Sequence, residues 1–223
     1  MNKPVVVISG ATGAAAASAA RAFAGQGASL ALLSSNRSKL DALTAELNLP
    51  PARLLSHVAD LRSAEAVHAA ATFVNSKFGR ADILLNLVGG WTGGKTLAET
   101  PPEDLETMVA QHLWTTFYLA QAFTPDMVHN GWGRVIAVSS PIASQPVAKM
   151  GAYAIGKAAE ETLMLTLAQE LKDSGVTANI IQVRSIDSLG TGKGTSVEEI
   201  TAAILYLCSD AAARINGAKI PLY

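Results

Sequence analysis

Three residues in the stretch Ser140–Lys157, SPIASQPVAKMGAYAIGK, have the types and spacing to do chemistry together. Tyr153 follows Ser140 by thirteen residues and Lys157 follows Tyr153 by four. On a helix, positions i and i+4 share a face, so a phenol and an ammonium would stand side by side there. The run RVIAVSS before Ser140 reads as a strand, and AAEETLMLTLAQEL after Lys157 reads as a helix. A strand end would then hold the serine against the helix face. A free tyrosine titrates near pH ~10, and a nearby cation favours its phenolate. Tyr153 could therefore exchange a proton with an alcohol or carbonyl oxygen, with the Ser140 hydroxyl bonded to the same oxygen. That set suits carbonyl reduction or alcohol oxidation, with the hydride coming from elsewhere. Tyr-x-x-x-Lys also arises by chance, so the elements around it must carry the argument.

Those elements alternate. Val5–Ser9, a continuous β-branched run, reads as a strand buried on both faces. The turn Gly10-Ala11-Thr12-Gly13 and a helix over Ala14–Ala24 come next. Strand, glycine turn and helix build an anion site, because backbone N–H groups and the helix dipole face one point. Further strands are read at Ser29–Leu33, Arg53–Val58, Ile83–Leu87, Arg134–Ser139, Thr177–Val183 and within Asn216–Leu222. Helices are read at Ser38–Leu47, Ser63–Phe78 (Ser63 as N-cap, Gly79 as stop), Pro102–Asn130, Gly151–Lys172 and Val197–Ser209. Along Pro102–Asn130 a single apolar side carries Leu105, Met108, Val109, His112, Leu113, Thr116, Phe117 and Ala120, and Pro125 is expected to kink or end the helix. The pattern argues an α/β fold, a Rossmann-like doubly wound parallel sheet of about seven strands with helices on both faces. The whole chain, 1–223, is read as one dinucleotide-binding catalytic domain.

At the end of the second strand stands Ser34-Ser35-Asn36-Arg37, with no acidic residue between Leu33 and Lys39. An acid there would take a ribose 2′-hydroxyl, whereas arginine and hydroxyls suit a 2′-phosphate. The expected cofactor is NADP rather than NAD. The competing view is that Arg37 and Lys39 are solvated residues opening the next helix. Four glycines make the loop Gly89-Gly90-Trp91-Thr92-Gly93-Gly94 pliable, and Trp91 is either a stacking surface or a cap on the fold.

Composition narrows the classes. Apolar residues make up 49% and charged residues 16%, with a net charge of −1, which points away from nucleic acid and membrane surfaces. Cys208 is the only cysteine, so no internal disulfide forms, in keeping with a reducing compartment. The opening MNKPVVVISGATG does not read as a signal peptide, and no apolar stretch reaches membrane-spanning length. A cytoplasmic location is expected, and no metal site is read.

From Val5 to Leu222 the chain resembles the short-chain dehydrogenase/reductase family. The strongest match is Ser140, Tyr153 and Lys157 on the corresponding strand and helix. The resemblance implies that Tyr153 gives the proton in reduction, Lys157 binds the nicotinamide ribose and lowers the tyrosine pKa, and Ser140 orients the substrate oxygen. It also implies a dinucleotide held by Gly10, Thr12, Gly13, Ala14 and Ala15 at the first turn and by Ser34, Asn36 and Arg37 at the second strand. Asp60 would meet the adenine with Leu61 beside it at the cofactor, Asn86, Val88 and Gly89 would lie at and after the end of the fourth strand, and Ser188 would meet the carboxamide with Ile186 also at the cofactor. Gly90 and Trp91 would face the substrate, a small carbonyl or alcohol. Relatives pair through the helices here at Pro102–Asn130 and Gly151–Lys172, which implies a homodimer or homotetramer.

The sequence departs from the family pattern in four places. Ala14 and Ala16 stand where Thr-Gly-x-x-x-Gly-x-Gly has its later glycines, and Gly13 sits one place early. His112 stands where a catalytic asparagine is usual and is kept as a candidate proton carrier; a satisfied core histidine is the ordinary alternative. Val183-Arg184 replaces a Pro-Gly pair, and only 189–196 remain for the substrate lid. A short lid implies an open site, or one closed by something else. The glycine loop resembles that of dihydropteridine reductases, which is one alternative. A nucleotide-binding protein that kept the fold and lost catalysis is another.

Overall fold

The computed structural model describes residues 3–223. Among these, seven parallel strands form one sheet in the order β3-β2-β1-β4-β5-β6-β9. They are β1 (Val5–Ser9), β2 (Ser29–Ser34), β3 (Leu54–Val58), β4 (Ile83–Asn86), β5 (Gly133–Ser139), β6 (Val176–Gln182) and β9 (Lys219–Pro221). Two further strands of two residues each, β7 (Ile186–Asp187) and β8 (Thr195–Ser196), pair with one another outside the sheet.

Alternation along β1 shows why helices cover both faces. Val5 and Val7 point into one apolar core, with Val67 and Val74 of α3 (Ala64–Phe78), Phe123 and Met127 of α5 (Thr115–His129), and Met164 of α6 (Gly151–Glu170). Val6 and Ile8 point into the other, with Ala19 and Phe23 of α1 (Ala14–Gly25), Leu40 of α2 (Arg37–Leu47), and Ile204 of α7 (Val197–Cys208). Successive side chains of a strand face opposite ways, so a run of apolar residues needs cover on both sides. The strand order reverses between β1 and β4, and a crevice opens at their carboxyl ends. The expected caps of α3 are present: Ser63 accepts from the Ala66 N–H, and Gly79 takes the left-handed conformation at φ 74°.

The helix expected over Pro102–Asn130 differs in three respects. It divides into α4 (Pro102–Val109), a π-helical turn at Ala110–Trp114, and α5. It then continues through Pro125 to His129, although proline favours a kink or an end at that point. The Pro125 ring removes one intrahelical N–H, and the turn is held by the Thr124 hydroxyl donating to the Ala120 carbonyl at 2.8 Å. The π turn also shifts the register of α5 relative to α4. Thr115, Thr116 and Leu119 face inward, and Phe117, expected on the apolar side, is 40% exposed.

Candidate active site

The crevice holds two adjoining cavities. The first, about 590 Å³, is lined by Gly10, Thr12, Gly13, Ala14, Ala15 and Ala16 at the first turn, by Ser34, Ser35 and Lys39 beyond β2, by Asp60, Leu61 and Arg62 beyond β3, and by Val88 and Gly89 beyond β4. The second, about 440 Å³, is lined by Gly90, Trp91, Val138, Ser139, Met150, Tyr153, Lys157, Val183, Arg184 and Ser185. Ala15, Leu87, Val88, Gly89 and Ile186 line both, so the cavities share a wall.

The first cavity has the donors a dinucleotide needs. Gly10 sits at φ 64°, and a Cβ on it would lie 2.7 Å from the Leu87 carbonyl oxygen, so only glycine lets β1 pass this close to β4. Gly13 caps α1 without a side-chain hydrogen bond. The first N–H groups of a helix have no intrahelical partner, and here they open toward the cavity with the positive end of the dipole. Ala14 is exposed, while Ala16 is buried against the sheet. Thr12 Oγ1 and Ser34 Oγ lie 3.0 Å apart and tie the first turn to β2. Asp60 pairs with Arg62 at 2.7 Å, and that guanidinium holds its carboxyl below the ordinary range. Both partners are half exposed, so the pair contributes little to stability.

Several expected cofactor residues lie elsewhere. Arg37 opens α2 and is not among the residues lining either cavity; Lys39, two residues on, is. Asn36 caps α2, its side chain accepting from the Lys39 N–H at 3.0 Å. Asn86 is buried and spent within the protein: its Oδ1 accepts from Ser9 Oγ at 2.9 Å, and its Nδ2 donates to Thr116 Oγ1 at 2.7 Å. Ser188 lines neither cavity.

In the second cavity α6 presents Tyr153 and Lys157 from consecutive turns. Gly156 between them lets α6 approach α4, since a Cβ there would lie 2.9 Å from the Met108 carbonyl oxygen. Lys157 is 4% exposed. Its Nζ donates to the Val138 carbonyl at 2.8 Å and to Glu160 Oε2 at 2.7 Å. An ammonium has three N–H donors, so one remains for the cavity. Glu160 is fully buried. Burial raises its carboxyl above the ordinary range, and the Lys157 charge acts against that rise. Ser140 follows β5 and caps the short turn Pro141–Ala143, its Oγ accepting from the Ile142 N–H at 3.4 Å, and it is not among the residues lining either cavity. Ser139 lines the cavity, and its Oγ is buried with no partner among the described residues.

His112 lies in the π turn, wholly buried, and lines neither cavity. Its Nε2 meets the Gly90 carbonyl at 3.1 Å, and its ring stands edge-on to Tyr153 with centroids 5.6 Å apart. Burial, helped by the Lys157 charge, lowers its pKa to about 3. The ring is therefore neutral at physiological pH, and Nε2 donates to Gly90. It holds the glycine loop beside Tyr153. Gln111 does the same one residue earlier through the Gly89 carbonyl. Trp91 is 65% exposed and lines the mouth of the cavity.

The loop at 189–196, expected as a lid, is tied down at its start by one carboxylate. Asp187 accepts from the Leu189, Thr191 and Gly192 N–H groups and from the Thr191 hydroxyl, with the Gly192 bond 2.6 Å long. Those backbone donors hold its carboxyl below the ordinary range. The tie is therefore complete above the unfolded pKa of about 3.9 and lost as pH falls through the depressed folded value. Asp187→Ala is expected to speed amide exchange at Thr191 and Gly192 at neutral pH while amides in the sheet keep their protection. Unchanged exchange in the loop would show that other contacts close it.

Arg62, Ser139, Met150 and Glu160 are site residues that motif reading passes over, while Lys39 and Arg184 are visible in the sequence without a place in the site. Spacing could have signalled Glu160, three residues after Lys157 on α6. The others stand at a strand end (Ser139), just past one (Arg62, Arg184) or at the start of a helix (Lys39, Met150), where no local signature marks them.

Comparison with known proteins agrees with this geometry. Residues 4–196 match the family model described as short chain dehydrogenase. The chain is 30% identical to the D-threitol dehydrogenase of Mycolicibacterium smegmatis, over 99% of this chain and 91% of that one. It is 28% identical to the 7alpha-hydroxysteroid dehydrogenase of Escherichia coli, over 95% and 89% respectively. Among solved structures, an NAD+-bound xylitol dehydrogenase superposes with a TM-score of 0.92 at 22% identity, covering 99% of this chain and 98% of that one. An NADPH-bound short-chain oxidoreductase of Pseudomonas aeruginosa superposes at 0.90 with 24% identity, covering 98% and 95%. The chain belongs to the short-chain dehydrogenase family and is an oxidoreductase of alcohols and carbonyls that works with a nicotinamide dinucleotide.

Proposed function

We propose that the chain is an NADP-preferring alcohol–carbonyl oxidoreductase in which the Tyr153 hydroxyl gives the proton in reduction and takes it back in oxidation. The observation that carries this reading is the shared wall between the two cavities, one lined by the α1 N-terminus and the other by Tyr153 and Lys157. The dinucleotide, when bound, supplies or accepts the hydride. The α1 N-terminus, Thr12 and Gly13 hold its phosphates, and the free N–H of Lys157 meets its ribose. Ser140 orients the substrate oxygen, and the unpartnered Ser139 hydroxyl stands ready beside it. Gly90 and Trp91 close the substrate side. The polyol and hydroxysteroid substrates in the relatives' names favour this reading over a pteridine reductase or a non-catalytic nucleotide binder.

The preference for NADP rests on Lys39, Ser34 and Ser35 at the end of β2 and on the lack of an acid there. The relevant cation is Lys39 rather than Arg37. Lys39→Ala is expected to weaken NADPH binding roughly tenfold, the size of one charge-assisted contact, and to leave NADH binding unchanged. Calorimetric titration of the wild-type and variant proteins with both dinucleotides measures this. An equal loss for the two would count against a 2′-phosphate contact. Turnover of an alcohol panel with NADP+ and NAD+, monitored by reduced-nicotinamide absorbance, tests the activity itself.

The same reading includes one catalytic domain, a cytoplasmic location and assembly as a homodimer or homotetramer. Exposed Trp114 in the π turn, Phe117 on α5 and Ile155 on α6 provide apolar surface for pairing through α5 and α6. Among the described residues no helix is long and apolar enough to cross a membrane, and no group of three metal-ligating side chains comes together.

A further inference from the structure

Trp91 is 65% exposed, yet the loop that carries it is firmly held. Gln111 donates to the Gly89 carbonyl, His112 meets the Gly90 carbonyl at 3.1 Å, and the Gly94 N–H donates to the Lys149 carbonyl at 2.7 Å. The last of these bonds brings the loop against Met150, which lines the second cavity together with Trp91. A Cβ on Gly93 would lie 2.6 Å from Met150 Sδ and 3.0 Å from Trp91 Cζ3, so the thioether and the indole both pack against a residue that has no side chain. They form an apolar wall that is in place before any ligand arrives. A ligand that covers such a wall gains its contact area at little cost in ordering.

The polar side chains that line the same cavity are committed elsewhere. Tyr153, Lys157 and Ser139 are assigned above to the reacting oxygen and the ribose. Ser185 Oγ lies against Gly194, where a Cβ would come within 2.5 Å of it. The Arg184 guanidinium stacks on Tyr223 at 4.7 Å, and both line a separate cavity with Glu199. Among the described residues no carboxylate and no side-chain amide lines the second cavity. A further hydroxyl on the substrate would therefore give up water and meet Trp91 and Met150 unpaired, which is costly.

We propose that the site selects ketones and alcohols whose reacting oxygen is carried on an apolar ring or chain, with that apolar part laid against Trp91 and Met150, and that it discriminates against polyols. This rests on the assignment of Tyr153 given above. The wall touches a part of the molecule that does not react, so it binds ground state and transition state alike. Its contribution falls on KM rather than on kcat.

The test compares two cyclohexanones of equal size, one with an ethyl and one with a hydroxymethyl group opposite the carbonyl, reduced with NADPH by the wild-type protein, Trp91→Ala and Trp91→Phe. The wild-type protein should favour the ethyl ketone in kcat/KM by roughly 10- to 100-fold, the range for a hydroxyl left unpaired in an apolar pocket, with the difference in KM. Trp91→Ala opens the wall to water and should bring the ratio close to one, whereas Trp91→Phe should keep most of it. A wild-type protein that reduces the two ketones equally, or prefers the hydroxymethyl one, overturns the proposal and leaves the Tyr153 assignment standing. So does a preference that survives Trp91→Ala. If neither ketone is reduced, calorimetric titration of both into the protein with NADP+ decides. Tighter binding of the ethyl ketone that is lost in Trp91→Ala upholds the proposal, and binding that is equal for the two, absent or insensitive to the substitution overturns it.

Discussion

Tyr153→Phe is expected to lower kcat by about 10²–10⁴-fold, the usual contribution of a positioned proton donor, while dinucleotide affinity stays unchanged. The substitution removes one oxygen from the cavity that Tyr153 shares with Lys157 and keeps the ring. The ring's edge-on contact with His112 and its place on α6 are therefore preserved. The first cavity, proposed above to hold the phosphates, does not include Tyr153. Loss of turnover with intact NADPH binding would assign the proton to the phenol. Because the lost group acts only as charge develops on the substrate oxygen, kcat and kcat/KM should fall together. Retained turnover would move the proton elsewhere, and Ser139 would be the first residue to examine.

Glu160→Ala should destabilise the protein by about 3–5 kcal/mol, as expected when one partner of a buried ion pair is removed. Lys157 is 4% exposed and Glu160 1% exposed, so neither charge has water to fall back on. Glu160 Oε1 also lies 3.5 Å from Asn86 Nδ2, in the polar group that joins β4 to α5 through Thr116. Urea denaturation of Glu160→Ala, Lys157→Met and the double variant Lys157→Met/Glu160→Met separates the pair from its surroundings. The double variant should recover most of the lost stability, because an apolar pair needs no counter-charge, and should remain inactive. If Glu160→Ala unfolded at the wild-type urea concentration, water would have to reach Lys157 and the burial argument would fail.

Much of this architecture is legible from local pattern. A β-branched strand, a glycine turn and a helix repeat along the chain, and only a parallel sheet with helices on both faces accommodates strands apolar on both sides, as β1 shows. The i, i+4 rule is enough to bring Tyr153 and Lys157 to one cavity. Ser63 and Gly79 announce the ends of α3 by type alone.

The features that stay hidden depend on contacts between distant segments. The π turn at Ala110–Trp114 contains no proline or glycine; it lies where Gly156 admits α6 to the Met108 carbonyl and against His112. The pair Glu160-Glu161 carries two charges on α6 and no sign of burial in its sequence. It is buried because Lys157 meets one carboxylate, while Gln182 and Lys219 meet the other. Asn86 resembles a cofactor ligand, yet its amide is used between Ser9 and Thr116. The exchange of Arg37 for Lys39 comes from the rotation of α2, whose cap residue Asn36 sets where its first turn points. Arg184 departs from the family pattern in sequence, but its surroundings become visible only once β6 and the C-terminal Tyr223 are together.

The central claim, that the crevice between β1 and β4 holds a nicotinamide dinucleotide despite Ala14 and Ala16, is tested most directly by calorimetric titration of the purified protein with NADPH. Saturable binding of one dinucleotide per chain at micromolar concentrations is the predicted result. No heat of binding at millimolar NADPH or NADH would contradict it, because the α1 N-terminus would then not be a phosphate site and the chemistry assigned to Tyr153 would have no hydride to accompany it.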